Sequence, residues 1–194
     1  MIDPTATIES NVSLGTNVRV WRNSHIREHA SIGNNVIIGE NVYIGLGVII
    51  GNDSKIQNGA LIYEPAIIKS GVFIGPGVCL TNDKFPRAVN DDETIKSISD
   101  WNAQGVVVEQ GASLGAGVVC VSPSKIGQWA MVGAGSVVTS DVCDFGLYVG
   151  NPAKQIGWVN KQGYKLQEMK AKLYCKETEQ YYILIDNQVT ELAH

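Results

Sequence analysis

Counting by six from Ile2 gives Ile8, Leu14, Val20, Ile26, Ile32, Ile38, Ile44, Ile50, Ile56, Ile62, Ile68, Ile74 and Leu80. Every sixth position over this stretch is Ile, Leu or Val. Two residues earlier in each unit stand Ala6, Val12, Val18, Ser24, Ala30, Val36, Val42, Val48, Ser54, Ala60, Ala66, Val72 and Val78, all of them Ala, Ser or Val. A period of six fits neither the 3.6 of an α-helix nor a plain alternating strand. It reads as a short strand with two inward side chains, followed by a turn. Gly15, Gly33, Gly39, Gly45, Gly51 and Gly75 follow the aliphatic residue, with Asn34, Asn35, Asn52 and Asn58 close behind. Both types accept the left-handed backbone angles of corners. Three units then close an 18-residue triangular coil, and stacked coils hydrogen-bond as parallel strands, which suits the β-branched interior.

The frame breaks after Leu80 and resumes shifted by four, at Val108, Leu114, Cys120, Ile126, Val132 and Val138. Its companions are Val106, Ala112, Val118, Ser124, Ala130 and Ser136. Between them, 81–107 has no six-residue period, and a long excursion from a compact frame is usually functional. The repeat ends near 159. Beyond it Leu166, Met169 and Leu173 recur at helical spacing, and Tyr181 to Leu192 reads as a hairpin around Asp186 and Asn187. The expected organisation is a β-helix unit over 1–159, carrying a protruding loop at 81–107, and a capping extension of helix and hairpin over 160–194. A cap is wanted because the last coil exposes a strand edge.

Composition narrows the function. Glycine numbers 21 of 194 residues, and its regular placement argues for rigid corners instead of looseness. A formal net charge of −4 offers no basic footprint for nucleic acid. No apolar run approaches the ~18 residues of a membrane span, and MIDPTATIES lacks a signal-like pattern. A cytoplasmic setting is expected. Cys79, Cys120, Cys143 and Cys175 show no paired or metal-ligand spacing. His25 and His29 fall on different columns, with only the terminal His194 besides, so no metal centre is expected.

These columns, followed by Gly150-Asn151-Pro152-Ala153-Lys154, resemble the hexapeptide acyltransferases over 1–159. The motifs at 20–26, 55–64, 81–88, 132–142 and 150–159, with the tail YYILIDNQV, are similar to the nucleotide-sugar 3-amino N-acetyltransferases. That resemblance implies a left-handed parallel β-helix and a homotrimer with active sites between subunits. It implies acetyl-CoA as co-substrate and a dTDP- or UDP-linked amino sugar for bacterial surface polysaccharide as acceptor. It also places the pantetheine arm along Gly115–Gly117 and Gly133–Gly135, with Gly117, Ala134, Gly135, Pro152 and Lys154 as cofactor contacts and Lys161 near phosphate.

Residues eighteen apart become neighbours one strand spacing apart. Asn82 therefore stacks on Glu64, Thr81 on Tyr63, and Asp83 on Pro65; Arg27 lies lower on the Tyr63 column and His25 on the Cys79 column. None of these is needed as core filling. Amine acetylation needs a neutral amine, a donor for the thioester oxygen and a route for one proton. Many relatives use a loop histidine as base, but 81–107 contains none. Sugar amines are weak bases, so the expected arrangement is Asn82 holding the amine and Asp83 or Glu64 taking the proton, with His25 as the alternative base. Tyr63, Arg27 and Arg87 are the acceptor-binding candidates, Arg87 for the nucleotide diphosphate. O-acetylation of a small sugar or amino-acid hydroxyl is the alternative activity, and it demands the stronger base.

Overall fold

The computed structural model describes residues 1–170, 172–186 and 188–192. The repeat folds as the columns dictate. A first face stacks Thr7–Ile8, His25–Ile26, Tyr43–Ile44, Leu61–Ile62, Cys79–Leu80, Val119–Cys120 and Val137–Val138. A second stacks Ser13–Leu14, Ser31–Ile32, Ile49–Ile50, Ile67–Ile68, Val106–Val108 and Ser124–Ile126. The third runs through Arg19–Val20, Ile37–Ile38, Lys55–Ile56, Phe73–Ile74, Ser113–Leu114 and Met131–Val132. Each strand pairs in parallel with the one three along the chain, so Ile8 meets Ile26 and Ile26 meets Ile44. The chain is an all-β parallel β-helix, consistent with the left-handed hexapeptide form.

The aliphatic column fills the prism. Ile26, Ile38, Ile44, Ile56, Ile62, Ile68 and Ile74 have no exposed surface, and burial contributes about 1.5–3 kcal/mol for each such side chain. The smaller column leaves room for the next strand, and its two serines in the first coils are paired. Ser24 Oγ donates to Gly39 O at 2.6 Å and accepts from Val42 N at 3.1 Å; Ser54 Oγ donates to Lys69 O at 3.1 Å and accepts from Val72 N at 3.2 Å. Corners take left-handed angles at Asn11, Asn17, Asn23, Asn35 and Asn41. Side chains at the neighbouring corner positions close the coil-to-coil bonding: Thr16 N donates to Asn34 Oδ1 at 2.8 Å and Asn34 N to Asn52 Oδ1 at 2.7 Å.

The insertion sits between Asn82 and Gly105. Ile68 pairs with Val108, forty positions on where eighteen is the rule, so the loop adds 22 residues without disturbing the stack. Gly105 closes the return, since a Cβ there would overlap the carbonyl of Pro65. Gln104 N donates to Asn82 O at 3.2 Å, and Ser122 Oγ bonds to Gln104 O, tying the two loop roots to the next coil.

The C-terminal extension departs from the helix expected around Leu166, Met169 and Leu173. Gly146–Gly150 continues the third face and turns antiparallel into Ala153–Trp158. Four antiparallel strands follow: Gln167–Met169, Lys172–Cys175, Gln180–Ile185 and Gln188–Glu191. Leu166 and Leu173 are indeed buried, but in a second core with Trp158, Cys175, Tyr182 and Val189, while Met169 is exposed. Strand alternation, Leu173 in and Cys175 in, decides the conformation. The expected hairpin is present, with Ile185 opposite Gln188, although Asn187 itself lies outside the described residues.

Candidate active site

Two corners flank the first face, and the candidate residues divide between them. At the corner joining the first and second faces the loop leaves the prism. Tyr63 and Glu64 lie there one coil below Thr81 and Asn82. Glu64 folds over Gly45, where a Cβ would collide with its Oε2, and that oxygen is sealed from solvent without a hydrogen-bond partner. Thr81 Oγ1 donates to Cys120 O at 3.1 Å and accepts from Ser122 N at 3.0 Å, holding the corner rigid. Asp83 Oδ1 accepts from Phe85 N at 2.9 Å, which starts the loop with a tight turn. Tyr63, Glu64, Asn82 and Asp83 are thus brought together on adjacent coils, all partly exposed.

His25 and Arg27 share this edge but lie two strand spacings below Tyr63 and Glu64 and three below Asn82 and Asp83, roughly 10 and 14 Å along the axis. His25 Nε2 contacts Glu9 Oε1 at 2.8 Å. Arg27 Nε donates to Glu28 Oε2 at 2.7 Å and its Nη1 reaches Tyr43 Oη at 3.4 Å. The hydrogen bonds that Arg27 donates to Glu28, then Tyr43, raise the guanidinium pKa, and Arg27 in turn lowers that of Glu28. Within one chain neither His25 nor Arg27 joins the Asn82 cluster. Tyr43 links the two groups: its ring centroid is 5.9 Å from that of His25, edge-on, and 5.3 Å from that of Tyr63. Burial, with smaller contributions from Cys79, Tyr43 and Glu64, pushes the Tyr63 phenol above its ordinary value. Tyr43 and Glu9 escaped the sequence reading, although both follow from the same eighteen-residue step, Tyr43 from His25 and Glu9 from Arg27.

The opposite edge of the first face holds Gly115–Gly117 and Gly133–Gly135. The glycine N–H groups at this corner are occupied. Gly115, Gly117, Gly133 and Gly135 each donate to the neighbouring coil at 2.8 Å. The open donors are the alanines between them. Lower on this column Glu40 N is satisfied by Asn58 Oδ1 at 3.0 Å. Ala116 N and Ala134 N have no such partner among the described residues. Gly117 and Gly135 have no neighbour within 4 Å of a would-be Cβ, so the corner is open as well as polar. Pro152 and Lys154 are exposed on the hairpin beyond it, and Lys161 places its ammonium 5.4 Å from the Trp129 ring. Arg87 lies in the loop, where it lines one cleft with Asp83 of the loop-root corner. Among the described residues no three His, Cys, Asp or Glu side chains gather as metal ligands; His194 lies outside them. No helix among them is long and apolar enough to cross a membrane.

Comparison with known proteins matches these coils. The bacterial transferase hexapeptide (six repeats) matches residues 11–46 and 47–82, and the hexapeptide repeat of succinyl-transferase matches 29–64 and 105–140; together they span more than half of the chain. The dTDP-3-amino-3,6-dideoxy-alpha-D-galactopyranose 3-N-acetyltransferase of Aneurinibacillus thermoaerophilus is 44% identical over 75 residues, 39% of this chain and 39% of that protein. Serine acetyltransferase 4 of Arabidopsis thaliana is 49% identical over 55 residues, 28% of this chain and 16% of that protein. The matched stretch thus spans less than half of either relative. Among solved structures, a mutant of the Bacillus cereus N-acyltransferase AntD, in complex with dTDP and coenzyme A, aligns with a TM-score of 0.52 at 24% identity, over 83% of this chain and 82% of that one. The acetyltransferase domain of PglB from Neisseria gonorrhoeae, in complex with acetyl coenzyme A, aligns at 0.51 and 18% identity, over 80% and 56%. These two likenesses concern the fold.

Proposed function

The chain belongs to the hexapeptide-repeat transferases, and on that premise we propose that it is an acetyl-CoA-dependent N-acetyltransferase of a nucleotide-linked amino sugar, acting at the C3 amine. The 44% identity to a 3-N-acetyltransferase over 75 residues supports the acceptor class. The observation that carries the reading is the loop-root corner, where Asn82, Asp83 and Glu64 stand beside a histidine-free loop. Such a corner can hold an amine and accept its proton, but it lacks the strong base that a hydroxyl acceptor requires.

In this reading residues 1–159 form the transferase unit and 160–194 its cap. The Asn82 side-chain carbonyl orients the amine, which attacks the thioester carbonyl; the N–C bond forms as the C–S bond breaks. Asp83 or Glu64 carries the amine proton away, and the leaving thiolate ends protonated as the CoA thiol. The open N–H groups of Ala116 and Ala134, beside Gly117 and Gly135, suit an extended amide-bearing arm, with Pro152 and Lys154 towards its phosphate end. Tyr63 walls the acceptor side, and Arg87 faces the diphosphate. His25 and Arg27, held by Glu9 and Glu28, order the aromatic column beneath. The two corners lie on opposite edges of one face, which suits a loop of one copy serving the open corner of another in the homotrimer that the family resemblance implies. Supply of an acetylated sugar for surface polysaccharide, in the cytoplasm, completes the reading.

The test is CoA-thiol release from acetyl-CoA across a panel of 3-amino and 4-amino nucleotide sugars, with serine and neutral sugars alongside. Turnover is expected with a 3-amino nucleotide sugar. Turnover with none of them, or with a hydroxyl acceptor only, overturns the proposal. Light scattering should give three times the 20.9 kDa chain mass.

A further inference from the structure

The loop holds a group of side chains that the corner chemistry does not use. After Pro86 the chain runs out and back as a small hairpin: Val89 bridges Ile95 antiparallel, and Lys96 N donates to Ala88 O at 3.1 Å. Across the base of this hairpin Arg87 comes beside Lys96 and Ser97. The short 3-10 turn Ile98–Asp100 then folds Trp101 against them. Arg87, Lys96, Ser97, Ile98 and Trp101, together with Asp83, line one open cleft.

Two features set this cleft apart. First, its cations stand outside any ion pair, with Arg87 Nη1 donating to the Pro86 carbonyl at 3.0 Å. The ion pairs among the described residues join Arg22 to Asp3, His25 to Glu9, Arg27 to Glu28 and Lys125 to Glu109, and none involves Arg87 or Lys96. Asp100, four residues beyond Lys96 and within reach of its charge, is occupied by Ser97, accepting from its N at 2.9 Å and its Oγ at 2.7 Å. Second, the indole Nε1 of Trp101 is sealed from solvent and donates to nothing. A buried donor left without an acceptor is costly, and native structures rarely keep one without a use. Two cations outside any ion pair in one concavity, with a spare N–H donor buried in its wall, are the complement of a multiply charged oxyanion.

We propose that this cleft is the diphosphate subsite of the acceptor, with Arg87 and Lys96 gripping phosphoryl oxygens and Trp101, on rotation into the cleft, donating its indole N–H to one of them. The inference rests on the amino-sugar reading above and deepens it. Asp83 belongs to the same lining, so cation and carboxylate answer the opposite charges of a single ligand. A sugar joined to diphosphate at C1 carries its C3 amine on the same ring, and both groups fall within one cleft. Lys96 and Trp101 thereby become specificity residues that select nucleotide-linked over free amino sugars.

The test uses the full chain. Titration calorimetry with dTDP, UDP and inorganic pyrophosphate is combined with acetylation kinetics for wild type, Arg87→Met, Lys96→Met and Trp101→Phe, with Lys84→Met as a charge control elsewhere in the loop. Wild type should bind a nucleoside diphosphate. Arg87→Met and Lys96→Met should each weaken that binding about tenfold and raise KM for the nucleotide sugar alike, with little change in kcat or in KM for acetyl-CoA. Trp101→Phe removes the N–H together with the pyrrole ring, so a several-fold loss of affinity there with an unchanged denaturation midpoint supports the donor role; Lys84→Met should match wild type. Unchanged affinity and KM in both cation variants, with turnover intact, overturns the cleft and leaves the acceptor reading standing. Absence of diphosphate binding by wild type overturns it as well. Binding that falls in both variants, in a protein that acetylates no nucleotide sugar, keeps the cleft as a nucleoside-diphosphate site and removes the acceptor reading.

Discussion

Cys120 occupies a place in the aliphatic column that Ile, Leu or Val holds elsewhere, and burial pushes its thiol from 9.0 up to about 12. The folded chain therefore keeps this proton after the unfolded chain has lost it. Stability from the neutral thiol is complete below pH 9 and declines as pH rises towards 12, at about 1.4 kcal/mol per pH unit for one proton. Cys120→Val, which restores the column's rule, should make the alkaline fall of the urea midpoint shallower over that window. At the loop root, Asn82→Ala should lower kcat/KM by about a hundredfold, with the denaturation midpoint unchanged because the backbone carbonyl, not the side chain, receives Gln104 N. Chemistry at this scale was only partly legible. Stacking by eighteen located Glu64 against Asn82, but no spacing rule says that Arg27 is already held by Glu28, or that Trp101 keeps an orphan donor. Those facts belong to an aperiodic loop and to side-chain rotamers.

At the scale of the element, one motif serves two kinds of corner. Gly59 adopts φ 69° with nothing within 4 Å of a would-be Cβ, whereas at Gly111, φ 72°, the Trp129 ring lies where a Cβ would stand. Gly59→Asn, the residue type used at five corners near the N-terminus, should shift stability by less than about 0.5 kcal/mol. Gly111→Ala combines the left-handed penalty of about 1–2 kcal/mol with displacement of the indole. Chemical denaturation of the two variants separates conformational need from contact need. The same distinction explains what could be read in advance. Coils repeat, so their inward columns stand out from a single chain. The C-terminal sheet does not repeat: Leu166 and Leu173 are seven apart, which mimics two helical turns, while the telling alternation at Leu173 and Cys175 is too short to outweigh it.

For the molecule as a whole, the prism keeps its two chemical corners apart while the loop alone spans outward from one of them. Frame and chemistry are consequently separate structural problems. The frame is fixed by columns that ignore the insertion, since Ile68 meets Val108 as squarely as Ile50 meets Ile68. In polymer language, that pairing closes a ring of forty residues where its neighbours close eighteen. Closure entropy grows only with the logarithm of ring size, so the loop costs about 0.7 kcal/mol, and twenty further residues at its tip would add about 0.4 kcal/mol. A Gly-Ser extension inserted within 91–93 should accordingly leave the melting transition nearly in place. The loop can lengthen, shorten or change sequence at almost no expense to the fold, so on the proposed reading acceptor preference can drift while the coils stay as they are.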